Sequence, residues 1–245
     1  MMPLAAKLEI DRAAQGHEAI ELPFTEIIES DGRSPIQGGG SVEFRLLYQG
    51  RLPANGDVAD KFAIRRQFHP QLRSLCYQQP MLRSQLIAWG HVEARQIYGE
   101  SFSGEQAFAL GIKRLADTHL NGFSFMPLAR QEWHLRCSID VLFLRREKPG
   151  RVFMKGDIDN RLKTLFDALQ MPHLGQDIGD QVPSPDEVPY HVLLEDDELI
   201  ADVSVTTDRL LSFPEEHEHT SDYAVLVIDV KLQPTQRSGW SHVFD

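Results

Sequence analysis

The sequence contains few cysteines and no long apolar segment. Its two cysteines among 245 residues are Cys76 and Cys137, and Cys137 lies in an alternating, strand-like pattern. We therefore expect both thiols to be reduced and the protein to be cytoplasmic. No apolar run approaches the roughly 20 residues that a membrane-spanning helix needs. The opening stretch MMPLAAKLEIDRAAQ is too short and too charged for a secretory signal, so we expect no membrane partner.

Positive charge is absent from one long part of the chain. Residues 164–208 contain no Lys or Arg, whereas residues 131–163 carry eight basic and five acidic side chains. The formal net charge of −11 argues against a generic nucleic-acid binder, which is usually basic. A locally basic stretch therefore precedes a strongly acidic one, and this distribution is more informative than the sum.

The hydrophobic pattern predicts an α+β fold. Alternation predicts strands at 42–48 and 133–143 and in the segments ELIADVSVTT and YAVLVIDVKL, and spacing near 3.6 residues predicts helices over most of 58–120. A core helix follows from its apolar stripe: Ile158, Leu162, Leu165, Phe166 and Leu169. We expect a small mixed sheet with this helix packed on it.

Three further segments are assigned around that core. Residues 1–40 are predicted to be a peripheral N-terminal extension, because they end in three consecutive glycines. Residues 41–245 then form one α+β domain, with a helical insertion at about 58–130. An irregular acidic loop is expected at 171–195, where Pro, Gly and Asp are frequent.

The segment KGDIDNRLKTLFDAL concentrates charge at the start of the core helix. One aspartate would suffice as a helix cap, but Asp157 and Asp159 are both present. If the chain is extended up to Asp159, the two carboxylates share a face. Lys163 lies four residues after Asp159, on the same helical face. Capping, and an ordinary surface ion pair between Asp159 and Lys163, remain the alternative interpretations.

A second acidic cluster, LLEDDEL, precedes a predicted strand and contains Asp196 and Asp197. Converging carboxylates repel one another unless a cation neutralises them. Mg²⁺ prefers oxygen ligands and can promote phosphodiester hydrolysis, and a lysine can stabilise the phosphate charge that develops. A solvated turn is the alternative interpretation of this cluster. A calcium-binding loop is excluded, because Arg161 and Leu162 stand where its fifth and sixth positions need Asp or Asn and Gly.

The pattern GDIDNRLKTLFDAL…EDDELI resembles the RusA-type Holliday junction endodeoxyribonucleases. Their pattern is an Asp-x-Asp-Asn helix start, a Lys, an Asp-Ala-Leu and then an Asp-Asp pair before a strand. The resemblance covers roughly Trp133 to Val205. It implies a small α+β homodimer that makes paired cuts in branched DNA with Mg²⁺, or with Mn²⁺ in its place.

Carried over by position, the resemblance implies roles for individual residues. Asp157, Asp159 and Asp197 would be catalytic carboxylates that bind the metal, with Asp196 beside them as a further ligand. Lys163 would be the catalytic lysine.

Five cations immediately before the helix are candidates for binding the DNA backbone: Arg145, Arg146, Lys148, Arg151 and Lys155. Arg65, Arg66 and Arg73, in a predicted helix, are candidates for extending this surface. For both groups a solvated face is the alternative interpretation.

The sequence predicts a Mg²⁺-dependent endonuclease that selects branched DNA structures and works as a homodimer. Two other functions remain open. One is a non-catalytic nucleic-acid-binding or regulatory protein that retains the fold. The other is a protein-interaction module whose acidic residues 176–202 recruit a basic partner.

Overall fold

The computed structural model describes residues 41–99, 102–131, 135–146, 157–212 and 222–234. These residues form an α+β fold, as the sequence predicts. In chain order, the helices and strands are β1 (Val42–Arg51), α1 (Val58–Gln78), α2 (Pro80–Glu93), α3 (Gly104–Leu115), β2 (Thr118–Leu120), β3 (Phe123–Ala129), β4 (Leu135–Arg145), α4 (Asp157–Leu169), β5 (Tyr190–Leu194), β6 (Ile200–Arg209) and β7 (Tyr223–Pro234).

The main sheet has the strand order β1-β7-β4-β6. β7 is antiparallel to both β1 and β4, whereas β6 runs parallel to β4. Alternate residues of β4, such as Val141 and Phe143, are buried on one face. Leu165 and Leu169 of α4 belong to the same core cluster, so the predicted helix packs on this sheet.

A second, three-stranded sheet was not predicted from the sequence. Its order is β2-β3-β5, with β3 and β5 parallel. Every residue of β5 is buried, and β3 is buried almost throughout. Strands buried on both faces read as apolar runs without alternation, and the proline at position 127 also argued against a strand.

This second sheet corrects two predicted boundaries. The segment expected to be a helical insertion, about 58–130, contains α1, α2 and α3 but ends in the strands β2 and β3. The loop expected at 171–195 contains two short 3₁₀ turns and then becomes β5 at Tyr190. The predicted extension 1–40 lies outside the described residues.

Both cysteines of the chain are buried free thiols, as expected for reduced cysteines. Within the described ranges, no helix is both long and apolar enough to cross a membrane.

A cluster of buried polar side chains, formed by His69, Tyr190 and His191, joins α1 to β5. The His69 and Tyr190 rings stack at 4.5 Å, and the backbone N–H of His191 donates to His69 Nδ1 at 2.9 Å. Within the described part of the chain, neither ring nitrogen of His191 has a hydrogen-bond partner. Burial lowers the pKa of His191 to about 3, and the nearby His69 and Arg73 add to this effect.

The depressed pKa of His191 predicts acid sensitivity. In the unfolded chain the His191 ring is protonated below a pKa of about 6.5, whereas in the folded protein it stays neutral until about pH 3. The free energy of unfolding therefore decreases as the pH is lowered through this window. Between pH 7 and pH 5 this one residue should cost about 2 kcal/mol. Urea unfolding at both pH values should show that His191→Leu removes this loss, whereas His119→Gln, at an exposed position, does not. An equal pH dependence in all three proteins would contradict the assignment.

Candidate functional site

Helix α4 already includes Asp157, which corrects the expected extended approach to Asp159. Positions two apart on a helix are about 200° apart around the axis, so the two aspartates do not share one helical face. Asp159 and Lys163 are both exposed and lie one turn apart. Within the described part of the chain, these two side chains form no hydrogen bond or ion pair with each other. The result is an exposed acidic and basic face at the beginning of α4.

The first half of α4 is fixed by a buried arginine. Arg161 is 5% exposed and donates to the Leu52 carbonyl at 2.8 Å and to Asp222 Oδ1 at 2.9 Å. Thr164 adds a second anchor, because its Oγ1 accepts the Gly56 N–H at 2.9 Å. These contacts hold the helix against the turn that follows β1 and against the start of β7.

Gly56 is required by this close approach. A Cβ atom at this position would lie 2.6 Å from Cγ2 of Thr164, well inside van der Waals contact. The sequence analysis did not identify Arg161 or Thr164. The apolar stripe gave no signal for them, because at 100° per residue Arg161 lies about 80° and Thr164 about 140° from the centre of the stripe.

The second half of α4 is fixed by another arginine. Arg65 is 3% exposed and donates to the carbonyls of Asp167 at 2.7 Å and Gln170 at 3.2 Å. It therefore satisfies backbone carbonyls that the end of a helix leaves without intrahelical partners. Burial lowers its pKa to about 10, which leaves it charged at pH 7. Lys61 also pairs with the Asp167 carboxylate at 2.8 Å.

The second acidic cluster lies at this C-terminal end of α4. Asp196 Oδ1 accepts the N–H of Glu198 at 3.0 Å, and its Oδ2 lies 3.2 Å from His173 Nε2. Partial desolvation raises the pKa of Asp197, and the negative charges of Asp196 and Asp167 raise it further. Asp196 and Asp197 therefore repel each other and adjoin the end of the helix.

The structure thus separates the two predicted acidic pairs. Asp159 precedes Asp167 by eight residues, which corresponds to about 12 Å along a helix axis, and Asp197 lies near Asp167. Within the described ranges, no three His, Cys, Asp or Glu side chains are grouped as a metal site. The Asp157 side chain lies outside the described part of the structure. The complete predicted ligand set, Asp157, Asp159, Asp196 and Asp197, stays a prediction.

The predicted DNA-binding cations divide into three groups. Arg145 is only 4% exposed and lies 6.0 Å from the centre of the Phe143 ring, so its expected role as a surface contact to phosphate is corrected. Its position on the buried face of β4 is the physical reason. Arg146 is exposed. The remaining three lie outside the described residues: Lys148, Arg151 and Lys155.

The three arginines of α1 are also not a free DNA-binding surface. Arg65 is buried against α4, Arg66 pairs with Glu187 at 2.8 Å, and Arg73 donates to the Asp186 carbonyl at 3.4 Å. Arg66 also donates to the side chain of Gln181 and the carbonyl of Val182. These bonds attach the acidic loop to α1.

Comparisons of the chain with protein-family models, with curated proteins and with solved structures found no match.

The contact between Arg65 and α4 predicts a specific loss of stability. Arg65→Met should lower the free energy of unfolding by about 2 kcal/mol, because charged donors to two carbonyls are lost inside the protein. Arg95→Met is a matched control at an exposed position and should change it by less than about 0.5 kcal/mol. Urea unfolding at pH 7 measures both values, and equal losses would refute the role of Arg65.

Proposed function

We propose that this protein is a Mg²⁺-dependent endonuclease for branched DNA, such as four-way junctions, that works as a homodimer. The observation that carries the proposal is the exposed face at the start of α4, where Asp159 and Lys163 lie one turn apart and Asp157 begins the helix. The resemblance of this segment to the RusA-type enzymes supports the same assignment.

The surroundings of this face suit a site that must hold its geometry. Arg161 and Thr164 fix the same two turns of α4 from the buried side. Groups on a rigid helix bind a ligand or a transition state without first being ordered, which favours catalysis. The anchors and the exposed side chains therefore divide the helix between structure and function.

The donor chemistry fits a hard divalent cation. Asp159 is the proposed metal ligand on the exposed face, and Asp157, Asp196 and Asp197 are the further ligands that the resemblance implies. A bound Mg²⁺, or Mn²⁺, would supply Lewis acidity to a phosphodiester and activate water. Lys163 would stabilise the charge that develops on the phosphate.

DNA contacts are proposed for the cations that precede α4. Arg146 is exposed at the end of β4, and Lys148, Arg151 and Lys155 follow it in the sequence. Lysine and arginine side chains hold the phosphate backbone in a manner that weakens with salt. Binding of branched DNA should therefore depend steeply on ionic strength.

Removal of the helix-start carboxylates should abolish cleavage of a four-way junction. Asp157→Asn and Asp159→Asn each replace a carboxylate by a neutral amide, a poorer Mg²⁺ ligand. Lys163→Met should lower the rate about 100-fold. Junction binding, measured in Ca²⁺, should persist in all three variants. Asp180→Asn is the control, because this carboxylate is exposed in the acidic loop. Cleavage at the wild-type rate by Asp157→Asn and Asp159→Asn would refute the proposal.

Asp197→Asn tests whether the distant acidic pair takes part. As a metal ligand, Asp197 should be as necessary for cleavage as Asp159, and its replacement should leave the unfolding free energy nearly unchanged because it is exposed. Cleavage rates in a titration with Mg²⁺ measure this directly. Full activity of Asp197→Asn beside an inactive Asp159→Asn would confine the metal site to the start of α4.

A non-catalytic protein that binds nucleic acid with the same fold is the second candidate. The separation of Asp159 from Asp197 along α4 favours it. Such a protein should bind junctions equally well with and without Mg²⁺ and should cut none. The third function, an acidic recruiting module, receives less support, since Glu187 in the acidic loop is buried and already paired with Arg66.

A further inference from the structure

The two edges of the main sheet differ in whether other residues cover the backbone N–H and C=O groups of the edge strand. At the β1 edge, Gln71 Oε1 accepts the Leu47 N–H at 2.9 Å, and Gln71 Nε2 donates to the Leu47 carbonyl at 2.7 Å. Gln67 accepts the N–H of Gln49 at 3.3 Å. Two glutamines of α1 therefore occupy three of the hydrogen-bonding groups that another strand would use, all in the second half of β1.

The β6 edge has no equivalent cover among the residues that the structure describes. β6 is the last strand of the sheet, and most of its ten residues are exposed. Val203 is 42% exposed although it lies on the face that carries the core. Exposed edge strands of this length are templates for pairing with another chain.

The direction of the free backbone groups can be read from two hydrogen bonds. The N–H of Leu210 donates to the Arg145 carbonyl of β4 at 2.7 Å. Because strand residues alternate between the two sides, Val203, Val205 and Thr207 direct their N–H and C=O groups away from β4. The N–H of Arg209, also directed outward, is taken by the adjacent Asp208 carboxylate at 2.6 Å.

The sequence of β6 is complementary to itself when a second copy runs antiparallel. A register with Ser204 opposite Ser204 of the second copy places Val203 opposite Val205 and Asp202 opposite Thr206. This register pairs Ile200 through Asp208 and sets no two like charges opposite each other. A shift of the second copy that centres the pairing on Val205 would place Asp202 opposite Asp208, which is unfavourable.

We propose that β6 is the homodimer interface, with two copies joined edge to edge in the Ser204-centred register. The strand order becomes β1-β7-β4-β6-β6-β4-β7-β1, and Val203 of each copy lies beside Val205 of the other across the junction. A two-fold axis perpendicular to the sheet keeps both α4 helices on the same face. The use of this dimer for paired cuts rests on the proposed function, whereas the pairing itself does not.

Light scattering of the full-length protein, without DNA or metal, tests the interface. The wild type should have twice the 27.8 kDa monomer mass. Ser204→Asp sets two carboxylates opposite each other, beside Asp202 and, on β4, Asp140, and should weaken the dimer by about 100-fold or more. Thr206→Lys is the matched control, because its charge lies opposite Asp202 of the second copy, and it should remain dimeric. Circular dichroism should show that both variants are folded.

Cross-linking tests the register independently of charge. In the proposed register the two Ser204 Cα atoms form a non-hydrogen-bonded pair about 4.5 Å apart, within disulfide range. Mild oxidation of Ser204→Cys should give a covalent dimer, and Thr206→Cys should not. The native cysteines are buried and should not react. A monomeric wild type overturns the proposal. A dimer that survives Ser204→Asp, or one that Ser204→Cys does not cross-link, overturns it as well. Because neither test uses DNA cleavage, such a failure is distinct from failure of the proposed nuclease.

Discussion

The structure depends on two buried arginines that hold helix α4 at both ends. Arg161 binds the Leu52 carbonyl and the Asp222 carboxylate, and Arg65 binds the carbonyls of Asp167 and Gln170. A buried guanidinium loses its hydration, so it is tolerated only where protein acceptors replace the water. Each arginine therefore fixes its surroundings, and together they tie α4 to β1, β7 and α1.

This double attachment determines what the rest of α4 can do. The side chains that contact Leu52 and Gly56 are fixed by these hydrogen bonds. Asp159 and Lys163 are exposed on the outside of the helix, and within the described ranges they do not hold it in place. The same attachment places the end of the helix beside Asp196 and Asp197. The rigid helix therefore keeps the exposed face at its start apart from the acidic pair at its end. A metal ion bound at the start of α4 would have to be held without Asp196 and Asp197 unless the helix moved.

The acidic region after α4 is a structural part of the domain. Glu187 and the carbonyls of Val182 and Asp186 bind arginines of α1, so the loop is attached to that helix. Acidic charge that the sequence makes a candidate for recruiting a basic partner is partly neutralised within the chain, where Arg66 pairs with Glu187. The two edges of the main sheet show a similar asymmetry, since the glutamines of α1 cover part of the β1 edge and no described residue covers β6 in this way.

The elements that can be predicted correctly from the amino-acid sequence are those buried on one side. β1, β4, β7 and the stripe of α4 alternate or repeat with a clear period, because one face meets the core and the other meets water. β6 alternates as well, although most of its residues are exposed. The second sheet lacked that signal, since β3 and β5 are buried on both faces. Tertiary structure alone decided the partners of Arg65, Arg66 and Arg145 and the distance between Asp159 and Asp197. A charged side chain looks the same in a sequence whether it meets water or a carbonyl far along the chain, and only the packing of α1 and α4 settles which.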